Sequence, residues 1–325
     1  MKAMRYSIVI TCYNQREFIV DAVESALSQR HSCREIIVVD DGSKDGSTDI
    51  LRSYENSIRL LELPANRGAI EARNRGAALA GGEYLVFVDG DDLFVPWTLE
   101  VYEQLVMQRR PAVIVSTARY FEGRVPVFTP RDAPERVEFI EYESLMAKDR
   151  SHGWYTCALV ISRKAFEDAG GWTPGLFHLD DLDLAAKLGY CGKTILICSP
   201  FTALYRMHAG NTVHNVSPFL RSALFIIQRE RAGLYPGGRQ KRMERYAFHG
   251  GMVFHWTRRA LEAGLYRGGL KLALGGWQML LTAVLRKATI AIGGRRRMTV
   301  RELNREGAAL LSLNAEERLG GRSGR

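Results

Sequence analysis

The sequence predicts an α/β fold, a mostly parallel sheet flanked by helices, and three observations carry that expectation. Short apolar runs at Ser7 to Cys12, Glu35 to Val39 and Tyr84 to Val88 read as strands buried on both faces. Segments of helical period lie between them, joined by short connections, which is the pattern of a parallel sheet with crossover helices. Each run ends in polar residues, so the carboxyl ends of the strands collect the reactive side chains. Ligands bind at that edge in open α/β sheets.

In chain order, the Ser7 strand exits through Tyr13-Asn14 into a helix over Glu17 to Gln29, with Phe18, Val20, Ala22, Val23, Ala26 and Leu27 at helical spacing. The Glu35 strand ends in Asp40-Asp41-Gly42-Ser43. Asp45, Ser47 or Thr48 caps the next helix, through about Tyr54. A third strand covers Ile58 to Leu63, Asn66-Arg67-Gly68 leads into a helix from Ala69 to Ala80, and the Tyr84 strand ends in Asp89-Gly90-Asp91-Asp92. Trp97 to Arg109 reads as helix and Ala112 to Ser116 as strand. Residues 119–151 lack a clear period and contain Pro126, Pro130 and Pro134, so loops are expected there, with a short helix near Tyr142 to Ala147. Ala158 to Ser162 is strand-like, Arg163 to Ala169 a short helix, and Asp180 to Tyr190 a helix with its acids in the first turn. Thr194 to Cys198 and Thr202 to Tyr205 are brief strands.

The 325 residues carry a formal charge of +9, unevenly spread. Residues 1–200 hold 23 basic against 29 acidic residues, and residues 201–325 hold 22 against 7. A mildly acidic domain, 1–215, is therefore followed by a basic helical tail, 216–325, suited to a polyanion or an anionic membrane surface. The five cysteines (Cys12, Cys33, Cys157, Cys191, Cys198) form no C-x-x-C pair, which fits reduced thiols and a cytoplasmic protein. The first residues run straight into a strand, so no signal peptide is expected.

Five clusters carry the chemistry, and the first four each have a plainer reading beside them. Asp89 and Asp91 straddle Gly90, a residue that permits a sharp bend, so both carboxylates can face one hard cation; an Asp-Gly surface turn is the alternative. Asp40-Asp41 can accept hydrogen bonds from a nucleobase or ribose, or simply form an Asx turn. Arg67, Arg73 and Arg75 surround a helix start, which suits a diphosphate or a solvated basic face. Of Asp180, Asp181 and Asp183, one can cap the helix, and three acids exceed what capping needs, so one can act as a general base. Tyr205-Arg206-Met207-His208 closes a short strand, placing Arg206 and His208 on one face.

No G-x-G-x-x-G, P-loop, H-E-x-x-H or G-x-S-x-G occurs, which excludes most dinucleotide, NTPase, zinc-protease and hydrolase readings. In order and spacing, Ser7 to Asn14, Val38 to Ser43, Asn66-Arg67-Gly68, Ala72-Arg73-Asn74, Asp89 to Asp92, Asp180-Asp181 and Tyr205 to His208 resemble a family 2 glycosyltransferase of the GT-A fold. The resemblance covers about residues 5–215. It implies an inverting, metal-dependent transfer from a nucleotide-diphosphate sugar to a glycan or lipid-linked acceptor. On that resemblance Thr11, Tyr13 and Asp41 hold base and ribose, and Arg73 and Arg206 contact the donor. Asp89 meets the ribose or metal, Asp91 and His208 hold Mn²⁺ or Mg²⁺, and Asp181 is the base. Cys12 and Asp180 depart from the usual pattern, and the second leaves open which acid of 180–183 faces the acceptor. No Gln-x-x-Arg-Trp is present, so addition of a single sugar is expected rather than processive synthesis. A nucleotide-sugar-binding scaffold without turnover remains an alternative, and intact Asp91 and Asp181 argue against it. A nucleic-acid-binding protein is a weaker one, since it leaves the strand-end acids without a role.

The tail reads as helices over Phe219 to Arg231, Arg242 to Ala263 and Leu265 to Ile292. Its longest uncharged run, Leu272 to Leu285, is shorter than the roughly 20 residues that cross a bilayer. Trp277, Leu280, Leu281 and Leu285 with Lys271, Arg286 and Lys287 fit a helix lying in a membrane interface, and Arg295-Arg296-Arg297 add attraction to anionic lipid. A helical hairpin packed on the catalytic domain is the other reading.

Overall fold

Strand β1 (Tyr6–Cys12) is buried along its whole length because it lies between two parallel neighbours, β2 (Arg34–Asp40) and β4 (Tyr84–Asp89). The computed structural model that shows this describes residues 6–30, 34–129, 132–146, 156–210, 216–292 and 308–312. Alternate side chains of β1 enter opposite cores, Ile8 and Ile10 one and Val9 the other, so the strand is apolar without alternation. Strand β3 (Arg59–Glu62) adds in parallel to β2. Helices α1 (Ile19–Leu27), α2 (Ser47–Arg52) and α3 (Ala69–Leu79) make the crossovers, and Asp45 accepts the Ser47 N–H at 3.0 Å where α2 begins.

Beyond β4 the sheet changes character. Strand β6 (Val113–Val115) follows helix α4 (Thr98–Arg109) and pairs in parallel with β10 (Thr194–Ser199). Strand β9 (Leu159–Ser162) is wedged between β4 and β6, antiparallel to both. Strand β8 (Arg136–Tyr142) pairs antiparallel with β10, and β12 (Ala308–Ser312) with β8. The order is β12-β8-β10-β6-β9-β4-β1-β2-β3. The expected parallel sheet thus holds for β3-β2-β1-β4, and the other half is mixed. A second sheet joins β5 (Leu93–Phe94), β11 (Ala203–Arg206) and β7 (Ala118–Phe121).

The segment expected to be loop therefore holds two strands. Val137 and Phe139 are buried at alternate positions of β8, a period-2 signal outweighed in the sequence by the flanking prolines. No helix forms over Tyr142 to Met146, because Tyr142 ends β8 and a turn follows; Ala147 lies outside the described residues. Helices α5 (Arg163–Asp168) and α6 (Asp180–Lys187) pack on the face of the sheet that carries Val9 and Phe87.

The tail forms α7 (Val216–Arg231), α8 (Arg242–Glu262), α9 (Tyr266–Gly275) and α10 (Trp277–Ile292). The single helix expected from Leu265 is instead two, inclined by 72° about Gly276. Arg295-Arg296-Arg297 lie outside the described residues. The bundle's core continues toward the sheet and α6 through Met146, Leu179 and Ala186. A Cβ on Gly250 of α8 would stand 2.2 Å from the Met279 carbonyl oxygen, so glycine alone permits α10 to approach this closely.

One buried acid fastens the two parts. Asp183 of α6 is fully buried and accepts from Thr173 Oγ1 at 2.5 Å and Tyr235 Oη at 2.6 Å, with Arg229 Nε 3.2 Å away. Removing one partner of a buried pair strands the other charge. Asp183→Ala is therefore expected to lower unfolding free energy by about 3 kcal/mol, measured by denaturant titration. An unchanged midpoint would contradict that role.

Candidate active site

The register sets Thr11 opposite Asp89 and Cys12 opposite Asp40, so the carboxyl ends of β1, β2 and β4 stand level. There Thr11 Oγ1 donates to Asp89 Oδ1 at 3.0 Å. Arg73, buried on α3, donates from Nη2 to both Asp89 oxygens at 2.8 and 3.0 Å. Its Nη1 donates to Asp180 Oδ2 at 2.7 Å, and its guanidinium lies 5.0 Å from the Trp172 ring centroid. Burial alone would lower the Arg73 pKa; Asp89 and Asp180 more than offset this and raise it. The Arg73 Nε is buried without a hydrogen-bond partner. One cation thus ties the end of β4 to the first residue of α6.

The three acids of α6 separate into three roles. Asp180 turns to Arg73, and Asp183 turns inward to Tyr235 and Thr173. Asp181 Oδ1 accepts only a local hydrogen bond, from the Leu182 N–H at 2.8 Å, among the bonds of the described residues. Burial, and then the charge of Asp180, push its carboxyl up from 3.8 to about 7, against the pull of the Leu182 N–H and Arg73. The residue before this helix, Leu179, has φ 59°, the left-handed region that a branched side chain rarely adopts.

In the loop after β4, Asp91 Oδ2 and His208 Nε2 are 3.0 Å apart, and the His208 ring lies 4.7 Å from that of Phe18. Burial and the neighbouring Asp89 raise the Asp91 pKa, with His208 opposing. Asp92 points inward and accepts the Arg206 N–H at 3.0 Å; burial and the charges of Asp91 and Asp89 raise its pKa. Gly90 is required for space rather than for a bend. It is not among the positive-φ residues, and a Cβ there would meet Gln15 Oε1 at 2.5 Å and the Thr11 carbonyl oxygen at 2.9 Å. The Arg206 guanidinium donates to the Asp91 carbonyl at 3.0 Å, the Gly123 carbonyl at 3.3 Å and Asp21 Oδ2 at 2.7 Å, between the rings of Phe18 and Phe121. It clamps this loop against α1.

At the β2 end, Asp41 accepts the Arg67 and Gly68 N–H groups, each at 2.7 Å. Asn14 and Ser43 join the exit loops of β1 and β2, and Tyr13 beside them is 45% exposed. Thr11, Arg73 and Asp89 thus meet directly with Asp180, and Asp91 meets His208 and the Arg206 clamp. Tyr13 and Asp41 occupy the adjacent strand ends. Asp21, Trp172, Thr173 and Tyr235 are missing from the sequence reading. Phe18 and Asp21 lie one turn apart on α1, which is the only signal that could have marked Asp21.

Among the described residues no three His, Cys, Asp or Glu side chains group as a metal site. Asp91 and His208 supply two adjacent donors, a set that fits a hard divalent ion taking its other ligands from phosphate oxygens and water.

The family profile described as Glycosyl transferase family 2 matches residues 7–170, just over half of the chain. WfaP of Escherichia coli, a UDP-Glc:alpha-D-GlcNAc-diphosphoundecaprenol beta-1,3-glucosyltransferase, is 30% identical over 64% of this chain and 80% of its own. The chain belongs to glycosyl transferase family 2. TuaG of Bacillus subtilis, a glycosyltransferase named for teichuronic acid biosynthesis, is 41% identical over 32% of this chain and 42% of its own length. Streptococcus pneumoniae GlyG is 36% identical over 34% of this chain and 37% of its own. The chain therefore spans less than half of those two relatives. The crystal structure of residues 1–349 of S. aureus TarS superposes with a TM-score of 0.55 at 15% identity, over 90% of this chain and 93% of that fragment. At that identity the likeness speaks for the fold alone. The expected family and α/β fold are both borne out.

The raised Asp181 pKa makes this glycosyltransferase less stable as the carboxyl ionises. The stabilising effect of protonation is complete below about pH 4 and is lost as pH rises through about 7. At pH 8, Asp181→Asn is expected to be more stable than wild type by on the order of 1–2 kcal/mol, and at pH 4 to match it, in paired thermal melts. Equal stability at both values would show an ordinary carboxyl.

Proposed function

We propose that the protein transfers a single sugar, with inversion, from a nucleotide-diphosphate sugar to a hydroxyl of a lipid-linked or glycan acceptor during cell-surface polysaccharide assembly. It would act in the cytoplasm, at the inner face of the plasma membrane. The observation that carries this reading is Asp181, a carboxyl held near neutrality one residue from the Asp180–Arg73–Asp89 bridge. A general base works best when its pKa lies near the working pH. The reaction named for WfaP supports the donor and acceptor classes, and the process named for TuaG supports cell-surface polysaccharide assembly.

Each part has a role that follows from its position. Asp41, with one lone pair left on each oxygen, would receive a nucleobase N–H, while Tyr13 and Thr11 flank the base and ribose. Asp89, oriented by Arg73 and Thr11, would face the ribose or metal, and Arg206 would act by keeping the Asp91 loop in place. Asp91 and His208 would hold Mn²⁺ or Mg²⁺, which when bound neutralises charge on a departing diphosphate. Asp181 would take the proton of the acceptor hydroxyl as its oxygen attacks the anomeric carbon from the side opposite the leaving group.

Asp181→Asn and Asp91→Ala are each expected to reduce turnover by about 10³-fold or more in assays pairing UDP-sugars with polyprenyl-diphosphate-linked acceptors. Circular dichroism should show both variants folded. Full turnover by either one would refute its assigned role, and activity that survives chelation of divalent ions would remove the metal. Because the base must be ionised, kcat/KM should fall about tenfold per pH unit below about 7 and level off above it. A profile flat from pH 5 to 8 would rule Asp181 out as the base.

A further inference from the structure

Half of the exposed large apolar side chains of the described residues fall between Phe254 and Leu285, on the outer side of the last three helices. On α9 they are Tyr266, Leu270 and Leu274, spaced by four residues; on α10 they include Trp277, Leu281 and Val284. Residues three and four apart share a helix face, so each helix presents one continuous apolar stripe. Buried positions lie on the opposite side. Leu272 and Met279 are fully or almost fully covered, and Gly250 brings α8 into backbone contact with α10. The stripe is therefore not a core face left open by a loose helix, because these helices already have their core.

Charge selects the occupant. From Ala263 to Val300 the chain has no acidic residue and seven basic ones, of which Arg267 and Lys271 are exposed along the α9 stripe. Lys287 lies 5.9 Å over the exposed Phe254 ring, with its ammonium at the border of the apolar surface. An apolar stripe bordered by cations, with Trp and Tyr on it, is the composition of a surface that sinks into the headgroup layer of an anionic membrane. A symmetric dimer through the same face would set these cations against one another. No single helix among the described residues is long and apolar enough to cross a membrane; α9 and α10 have the length and composition only together, and their 72° inclination suits a pair lying in the interface plane. Arg231 Nη2 also donates to the Gly275 carbonyl at 2.7 Å, fastening the bend to α7.

We propose that α9 and α10 form a bent, in-plane membrane foot, with the face of Tyr266, Leu270, Leu274, Trp277, Leu281 and Val284 buried in the interfacial layer of an anionic lipid surface. The foot is part of the bundle that Asp183 fastens to the catalytic domain, so lipid binding orients the whole molecule. The proposal does not rest on the transferase reading and is tested without turnover.

The test is co-sedimentation of the full chain with vesicles of phosphatidylglycerol and phosphatidylcholine, against vesicles of phosphatidylcholine alone. The chain should pellet with the anionic vesicles and release as salt rises, because surface attraction is screened. The double variant Leu274→Glu/Leu281→Glu should lose binding, and Lys271→Glu/Lys287→Glu should weaken it about tenfold or more, with unchanged melting temperatures. Failure of the wild type to bind anionic vesicles at low salt would overturn the proposal, as would equal binding by the leucine variant. So would a dimer in sedimentation velocity that the leucine variant dissociates while vesicles bind neither protein.

Discussion

A buried arginine shared between two carboxylates holds the site together. Arg73 leaves α3 at the level of the strand ends and spans from Asp89, on β4, to Asp180, at the start of α6. Those acids are separated by ninety-one positions of sequence, and no backbone pairing joins their elements. A charge this deeply buried persists only when matched by good geometry, and two carboxylates with the Trp172 face supply it. The same cation opposes the rise of the Asp181 pKa, which burial and Asp180 drive. The bridge thus sets where α6 begins and opposes the rise that burial and Asp180 give the Asp181 carboxyl.

Helix α6 is fixed from its other side as well. Asp183, two positions beyond Asp181, faces the opposite way into Tyr235, Thr173 and Arg229. Successive positions of a helix differ in direction by about 100°, which lets three neighbouring acids face three surroundings. Asp180 meets a cation, Asp181 keeps only the Leu182 N–H among the bonds of the described residues, and Asp183 meets the helical bundle. The bundle is therefore a support for α6 rather than an appendage, and its outer face remains available for a surface outside the protein.

The legible parts of the sequence were those in which one local pattern decides the structure. Strands β1, β2 and β4 were visible because burial on both faces leaves a run such as Ile8-Val9-Ile10 with no polar position. The acids beyond them were visible because strand ends collect function. The direction of β9 was hidden, since Leu159–Ser162 reads the same whether it runs with its neighbours or against them. β8 was lost beside its prolines. The break at Gly276 was hidden because the apolar pattern continues through it. Asp180, Asp181 and Asp183 were recognised as a group, but their division depended on Arg73 and Tyr235, contacts that no spacing encodes. Arg206 showed the same limit: its motif was visible, while its clamp on Asp21, Gly123 and the Asp91 carbonyl depends on how the second sheet packs against α1.

Titration of the Asp181 carboxyl in the folded chain, by carbon NMR with Asp181→Asn to assign the signal, tests the account most directly. An apparent pKa near 7, moving upward in Arg73→Gln as the opposing cation is removed, is the expected result. A value in the ordinary carboxylate range that Arg73→Gln leaves unmoved would contradict it.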